Sequence, residues 1–354
     1  EQSDGDISDW VLAQRRIRIQ RATLIWEDEL RKAPVLELKD LNFALDNDGK
    51  RHRFGVTALP PEALASKIDL RGDFRGKDID KLDAWSGKVY AEIDYADLAV
   101  WRQWIDYPVA LPHGRGAVRT WFDFSEGQLH ELTADMSLRD VSLRLAPELP
   151  ALELDHMSGR IGARFSESGF AVNGRAVELV AREEAARKGD ERAPRSPGEA
   201  IRIDPTDFHV DWQSEAEGKT VSGSASASRL DLGTLARFAE YVPFDTQSRQ
   251  LLKEYAPQGH VSGLNAKWKG DASRLSSYSL KAGFDNLGLK AQGYFPGFSG
   301  LSGVLEADEK GGSAALRSQQ SSIDLPSVFP ESLIMLDKLS AQAKWKISRG
   351  VLDA

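Results

Sequence analysis

Leu132-Thr133-Ala134-Asp135-Met136-Ser137-Leu138-Arg139 is the stretch that decides the fold. Apolar and polar residues alternate across it without a break, the period of an extended strand whose successive side chains point to opposite faces. Leu132, Ala134, Met136 and Leu138 share one face; Thr133, Asp135, Ser137 and Arg139 share the other. The pattern recurs on both sides: Val118/Thr120/Phe122/Phe124 before it, Ile161/Ala163/Phe165 and Phe208/Val210/Trp212 after it, and Leu339/Ala341/Ala343/Trp345/Ile347 near the far end. Val221 to Ala227 is a small-residue version. The chain is therefore expected to be mainly β, with roughly twenty strands that each have one apolar side.

Turn-formers sit between these runs: Asp46-Asn47-Asp48-Gly49, Ser125-Glu126-Gly127, Ser166-Glu167-Ser168-Gly169 and Glu309-Lys310-Gly311-Gly312. Gly and Asn tolerate the positive φ that tight strand connections demand, so neighbouring strands should be antiparallel, as in a meander. Two places read as helix. Tyr95 to Ile105 carries Leu98, Trp101 and Ile105 at helical spacing behind Asp94, and Leu232 to Tyr255 reads as two short helices with an elbow at Pro243. The expected order is a strand segment over 1–94, a short helix over 95–107, a strand segment over 108–230, a helical pair over 231–256 and a strand segment over 257–354. Within the second segment, the charged, Ala-rich stretch 181–199 reads as a mobile loop.

The chain's 354 residues carry a formal charge of −8, with acidic and basic residues interleaved, so a general electrostatic grip on nucleic acid is not expected. Cysteine is absent, which excludes disulfides and thiolate-ligated zinc or iron–sulfur clusters. No apolar run approaches the roughly 20 residues of a membrane helix. The sequence opens Glu1-Gln2-Ser3-Asp4 without an initiator Met and is read as the middle of something longer.

The sequence carries little recognisable catalytic chemistry. The six histidines (His52, His113, His130, His156, His209 and His260) are scattered singly, with no H-x-x-x-H or H-E-x-x-H spacing. No G-x-S-x-G elbow or Gly-rich phosphate loop appears, and the densest carboxylates, around Asp78 to Asp83, are flanked by Lys77 and Lys81 as in a solvated turn. Trp212 and Trp345 lie in phase with apolar neighbours, whereas Trp121 is out of phase with Phe122 and Phe124. Neither a catalytic residue, a metal nor a cofactor is expected.

Many one-sided strands in succession give a sheet with one apolar face, and burial at roughly 25 cal/mol per Å² demands that this face be covered. A second sheet, closure into a barrel, or a foreign apolar ligand would each serve. The residues also resemble a known family. The strand Ile17 to Trp26 with Glu27-Asp28 behind it, Leu36-Glu37-Leu38, Pro60-Pro61-Glu62, and Trp85-Ser86-Gly87 are similar to its motifs. So are Leu230-Asp231-Leu232 with its helical pair, Phe295-Pro296-Gly297-Phe298-Ser299-Gly300 and Ile323-Asp324-Leu325-Pro326. Together they resemble the AsmA-like family in its YhdP branch, over most of the chain.

That resemblance implies an extended, strongly twisted antiparallel sheet forming an open hydrophobic groove, within an inner-membrane-anchored protein of the periplasm. It implies passage of phospholipid between the inner and outer membranes without an active site. The expected groove lining is Leu132, Ala134, Met136, Leu138, Ile161, Phe165, Val210, Leu339, Ala341, Ala343 and Ile347. A carbohydrate-active enzyme on a β-scaffold and a purely structural envelope scaffold stand as alternatives.

Overall fold

A computed structural model describes residues 10–77, 79–104, 110–181, 201–214, 221–242, 246–271, 274–348 and 351–353. The chain divides into two units, the first made of residues 1–143 and 152–166 and the second of 144–151 and 167–354. The expected loop 181–199 falls almost wholly outside the described residues.

The first unit holds β1 (Arg16–Trp26), β2 (Leu36–Asp48), β3 (Arg51–Leu59), β4 (Ile68–Arg75), β5 (Ser86–Asp97), β6 (Ala110–Ser125), β7 (Gln128–Arg144) and β8 (Leu152–Ser166). Each strand neighbours the next in chain order, and the ladders are antiparallel from β1 through β6 and again from β7 to β8. The second unit repeats the plan with β9 (Gly169–Ala181), β10 (Ile201–Ser214), β11 (Val221–Asp231), β12 (Gln258–Asp271), β13 (Arg274–Leu289), β14 (Gly297–Asp308), β15 (Gly311–Asp324), β16 (Leu333–Ser348) and β17 (Val351–Asp353). Its ladders are all antiparallel between consecutive strands. Among the described residues no ladder within either unit returns to close it into a barrel. The mainly β chain expected from the alternation and the open antiparallel sheet implied by the resemblance are both found, with seventeen strands among the described residues.

The two ends of the strands differ. One edge carries tight hairpins: β2 turns into β3 through Gly49 at φ 61°, and β6 into β7 through Glu126 and Gly127 at 53° and 70°. The other edge carries the long connections and the helices. There α1 (Leu98–Trp101) is capped by Asp97, whose carboxylate accepts from the Ala99 and Val100 amides at 3.1 and 3.3 Å. The sequence pointed to Asp94 and a longer helix. The chain stays in the ladder through Asp97, paired with Arg115, and Ser66 Oγ accepts the Tyr95 amide, so the helix starts later. The expected helical pair is present as α2 (Leu232–Phe238), capped by Asp231, and α3 (Thr246–Tyr255).

Near the long-connection edge the strands bulge. Arg21, Asp40, Asp140, Ala176, Asn286 and Gln320 all take positive φ inside strands, and register shifts interrupt most ladders there. Such bulges bend a strand and increase its twist. Amides at these bends find side-chain acceptors on the next strand: Arg21 N on Asn42 Oδ1, Ala176 N on Asp207 Oδ1, Asn286 N on Ser302 Oγ, at 3.3, 2.7 and 3.0 Å.

One face of each sheet is ionic. Directly opposed residues form Arg16–Asp46 at 2.8 Å, Lys88–Asp123 at 3.1 Å, Arg119–Glu92 at 2.7 Å and Arg160–Asp135 at 2.5 Å in the first unit. Lys281–Glu306 at 3.8 Å does the same in the second. The first unit's buried hydrophobic cluster lies at the long-connection edge. In the first unit Leu36, Leu64, Ala65 and Ala96 are buried there, with Leu98, Trp101 and Trp104 packed against them.

Candidate functional site: the apolar face

Register settles which side chains share the other face. In the first unit Ile17, Leu45, Phe54, Gly72, Val89 and Phe122 stand directly opposite one another across six strands. Ile19, Phe43, Val56, Leu70 and Ala91 form the next row. Leu132 faces Ala163, Ala134 faces Ile161, Met136 faces Gly159 and Leu138 faces Met157. In the second unit one row runs Val172–Val210–Ala225–Ala266–Leu280–Ala307–Gly312–Trp345 over eight strands.

Among the described residues these floors have nothing of the protein above them. The extensive contacts between strands among the described residues are all between ladder neighbours, and α2 packs against β10, β11 and β12. Floor side chains are accordingly half-buried, flanks pressed together and tips open: Phe43, Val56, Leu70, Val89, Phe122, Ala225, Ala266 and Leu280 all fall in that class. Only nineteen apolar side chains are buried among the described residues, and seven of those are alanine.

The expected lining residues divide between the units. Leu132, Ala134, Met136 and Ile161 are half-buried in the first unit's floor; Phe165 is 45% exposed, and Leu138 is buried at 6%. Val210 is 36% exposed in the second unit. Leu339, Ala341 and Ala343 stand opposite Ser318, Leu316 and Ala314, and Ile347 is half-buried beyond Trp345 on the same face. The reading missed the floor of β2 to β5 (Phe43, Leu45, Phe54, Val56, Leu70 and Val89), although His52/Phe54/Val56/Ala58 alternates as cleanly as the quoted stretch. It also passed over Ala225, Ala266 and Ala307, whose small side chains weaken the contrast with polar neighbours.

At the hairpin edge each floor ends in rings laid across glycines. Gly223 is directly opposite Trp268 and Gly312 opposite Trp345, while further in, beside the Ala176 bulge, Gly174 is opposite Phe208. In each case the ring fills the space that a Cβ on the glycine would need. In the first unit Phe74 lies over Gly87 and Trp85 over Gly76. There Trp85 also stacks on buried His52 at 5.0 Å, whose ring nitrogens meet Asn47 Oδ1 at 2.8 Å and the Gly76 carbonyl at 3.3 Å. The absence of a side chain lets a large ring lie flat instead of standing into the trough.

Trp121 belongs to the ionic face, as its phase indicated. Arg160 covers its ring at 5.5 Å, Tyr90 tilts against it at 5.5 Å, and Arg71 covers Tyr90 at 5.7 Å. A depression of about 380 Å³ lies beside this stack, lined by Arg71, Asp73, Lys88, Tyr90, Trp121, Asp123, Glu131 and Thr133 among others. Its charges are spent on one another: Asp73 with Arg51, Asp123 with Lys88, Glu131 with Arg164. The Arg51 guanidinium holds Asp73 below the usual carboxylate range, and Arg160 does so for Asp135. The Tyr90 hydroxyl with Arg119 holds Glu92 down in the same way. Carboxylates held ionised are poorly suited to donate protons. Among the described residues no group of three or more His, Asp or Glu is placed to hold a metal ion, and no helix is long and apolar enough to cross a membrane.

The family model described as YhdP protein matches residues 1–353. No curated protein and no solved structure matches the chain.

Proposed function

Because this chain belongs to the YhdP protein family, we propose that it is a segment of a non-enzymatic conduit for phospholipid between the two bacterial membranes. It does its work in the periplasm, as part of a protein anchored in the inner membrane. Acyl chains lie against the apolar floors, and the ionic faces keep the outside wet. The observation that carries this reading is an apolar face in each unit with no protein layer above it, among the described residues. A soluble chain exposing such faces alone would aggregate. Acyl chains supply the missing cover: each methylene withdrawn from water contributes about 0.8 kcal/mol, so a dozen contribute on the order of 10 kcal/mol.

The floor fits bulk lining better than a specific pocket. No single residue dominates it, and its side chains offer area instead of directed polar contacts. The test is purification from a Gram-negative host, followed by native mass spectrometry and photo-crosslinking from Met136 and Ala341. Co-purifying phospholipid and acyl crosslinks at both positions are expected. Lipid-free protein with no acyl crosslink at either position would overturn the reading.

A further inference from the structure

The chain's formal charge is −8, yet cations crowd one place on the first unit, around the β2–β3 hairpin. Arg16 and Arg18 both pair with Asp46, and Arg51 pairs with Asp73. Arg53 stands in register between those two carboxylates, directly opposite each. Arg15 lies beside the hairpin, its carbonyl accepting the Asn47 amide at 3.0 Å, and the Lys50 carbonyl in the turn accepts the Gly76 amide at 2.9 Å. Arg75 is directly opposite Arg51, and Asp48 opposes Arg51 from the other side. Seven cations thus meet three carboxylates among the described residues; Arg15, Lys50, Arg53 and Arg75 are exposed and enter no ion pair there. Like charges directly opposite one another destabilise a ladder, so the Arg51–Arg75 pairing carries a local cost that an outside anion would remove.

A second observation lies at the same edge. Asn47, two residues beyond Leu45 on the floor face, donates through Nδ2 to the Val11 and Gln14 carbonyls at 3.0 and 2.6 Å. Those bonds seat the short helical turn at 10–13 beside the hairpin, and its Trp10 is 60% exposed. A bare indole next to clustered Arg and Lys is the combination that settles at a bilayer interface. The opposite edge of the unit also exposes apolar side chains, with Trp26 at 50% and Leu30 at 97%. Its charge is of the other sign: in the β1–β2 connection Glu27, Asp28 and Glu29 stand against Arg31 and Lys32. Charge and aromatic exposure coincide only at the β2–β3 hairpin of this unit, among the described residues.

We propose that this hairpin edge is a docking surface for an anionic phospholipid bilayer, with the cations on headgroup phosphates and Trp10 seated at the ester level. The cations spread over β1 to β4, about 15 Å at strand spacing, which is too wide for one phosphate and suits an extended anionic surface. A patch of this sign on an acidic chain also orients it, because the rest of the molecule is repelled by the same membrane. The proposal goes beyond the conduit reading and does not depend on it: charge-dependent vesicle binding reports docking whether or not lipid enters the floor.

The test is flotation of the whole chain with phosphatidylcholine vesicles, with and without phosphatidylglycerol. Binding is expected only with phosphatidylglycerol, and raising salt from about 0.1 M to about 1 M, which shortens the screening length from about 10 to about 3 Å, should abolish it. Each cation near an anionic surface is worth about fivefold in affinity, so Lys50→Glu with Arg75→Glu should weaken binding at least about 20-fold. The same double reversal at exposed Lys338 and Lys344 of the second unit should change it less than about twofold. Trp10→Ala should weaken binding severalfold. The cysteine-free chain also permits an environment-sensitive dye at Asp48→Cys or at Asp337→Cys, both exposed. Its emission should shift to the blue on anionic vesicles at residue 48 and stay unchanged at residue 337. Equal binding to both vesicle types, a dye shift only at residue 337, or equal losses from the two double reversals would overturn the proposal. Capture of soluble polyphosphate without flotation would overturn it too, in favour of a soluble polyanion.

Discussion

Replacing Ala266 by aspartate places a carboxylate in the middle of the second unit's floor, opposite Ala225 on one side and Leu280 on the other. In the lipid-free protein this position is half-buried by strand neighbours and open above. The new side chain can therefore hydrate, and its cost is the strand-propensity difference, up to about 1 kcal/mol. For a unit of this size that shifts Tm by roughly 2–4 °C. Under acyl chains the same carboxylate sits in hydrocarbon, where an aspartate costs about 2.5–3.5 kcal/mol. Converted at 1.4 kcal/mol per decade, local lipid affinity falls about 60- to 300-fold. The assay pairs calorimetry of delipidated Ala266→Asp protein with titration of a fluorescent phospholipid. A large loss of binding with a small loss of Tm is expected. Global unfolding would refute the reasoning, because it would mean a dry core in which an unpaired charge costs several kcal/mol. Unchanged binding would refute it as well.

Other consequences follow from the same geometry. Gly223→Val forces the Trp268 ring off its seat, and overpacking of this kind costs about 1–3 kcal/mol; near-ultraviolet circular dichroism should lose the ordered tryptophan signal together with a lower Tm. Arg160→Ala removes an exposed ion pair and a ring contact on the ionic face, so stability should change by about 1 kcal/mol or less, with lipid binding unaltered. Asn42→Ala takes the acceptor from the Arg21 amide at a bulge and should cost about 1 kcal/mol in denaturant melts. Asp46, Asp73, Glu92 and Asp135 are all held below the ordinary carboxylate range by their hydrogen-bonded partners. The unfolded chain takes up protons at these sites first, so their stabilisation is complete above about pH 4.5 and drains away as pH falls through the native values. Tm should be flat from pH 7 to 5 and fall below pH 4; a Tm that rises on acidification would contradict the ionic face.

Much of this was legible because a strand's side-chain period is fixed by backbone geometry. Leu132 to Arg139 gave the face of β7, and the in-phase Trp212 and out-of-phase Trp121 each fell on the side their neighbours indicated. Local pattern failed where tertiary pairing decided the outcome. Asp94 lost the helix cap to Asp97 because Ala96 and Asp97 stay hydrogen-bonded to β6, a competition no single segment records. The bulges were hidden for the same reason. Arg21, Ala176 and Asn286 take positive φ where Asn42, Asp207 and Ser302 on neighbouring strands accept their amides, and those partners lie 16 to 31 residues away. The glycine–ring pairs were equally silent: Gly223 and Trp268 meet only once register is set.

The most direct measurement is thiol accessibility on both floors. Met136→Cys and Leu280→Cys introduce single thiols at half-buried floor positions of an otherwise cysteine-free chain. Alkylation should be fast at both sites in delipidated protein and slow severalfold once phospholipid is loaded. Thiols that stay protected in the folded, lipid-free protein, and react only when it is unfolded, would mean that the chain covers its own apolar faces.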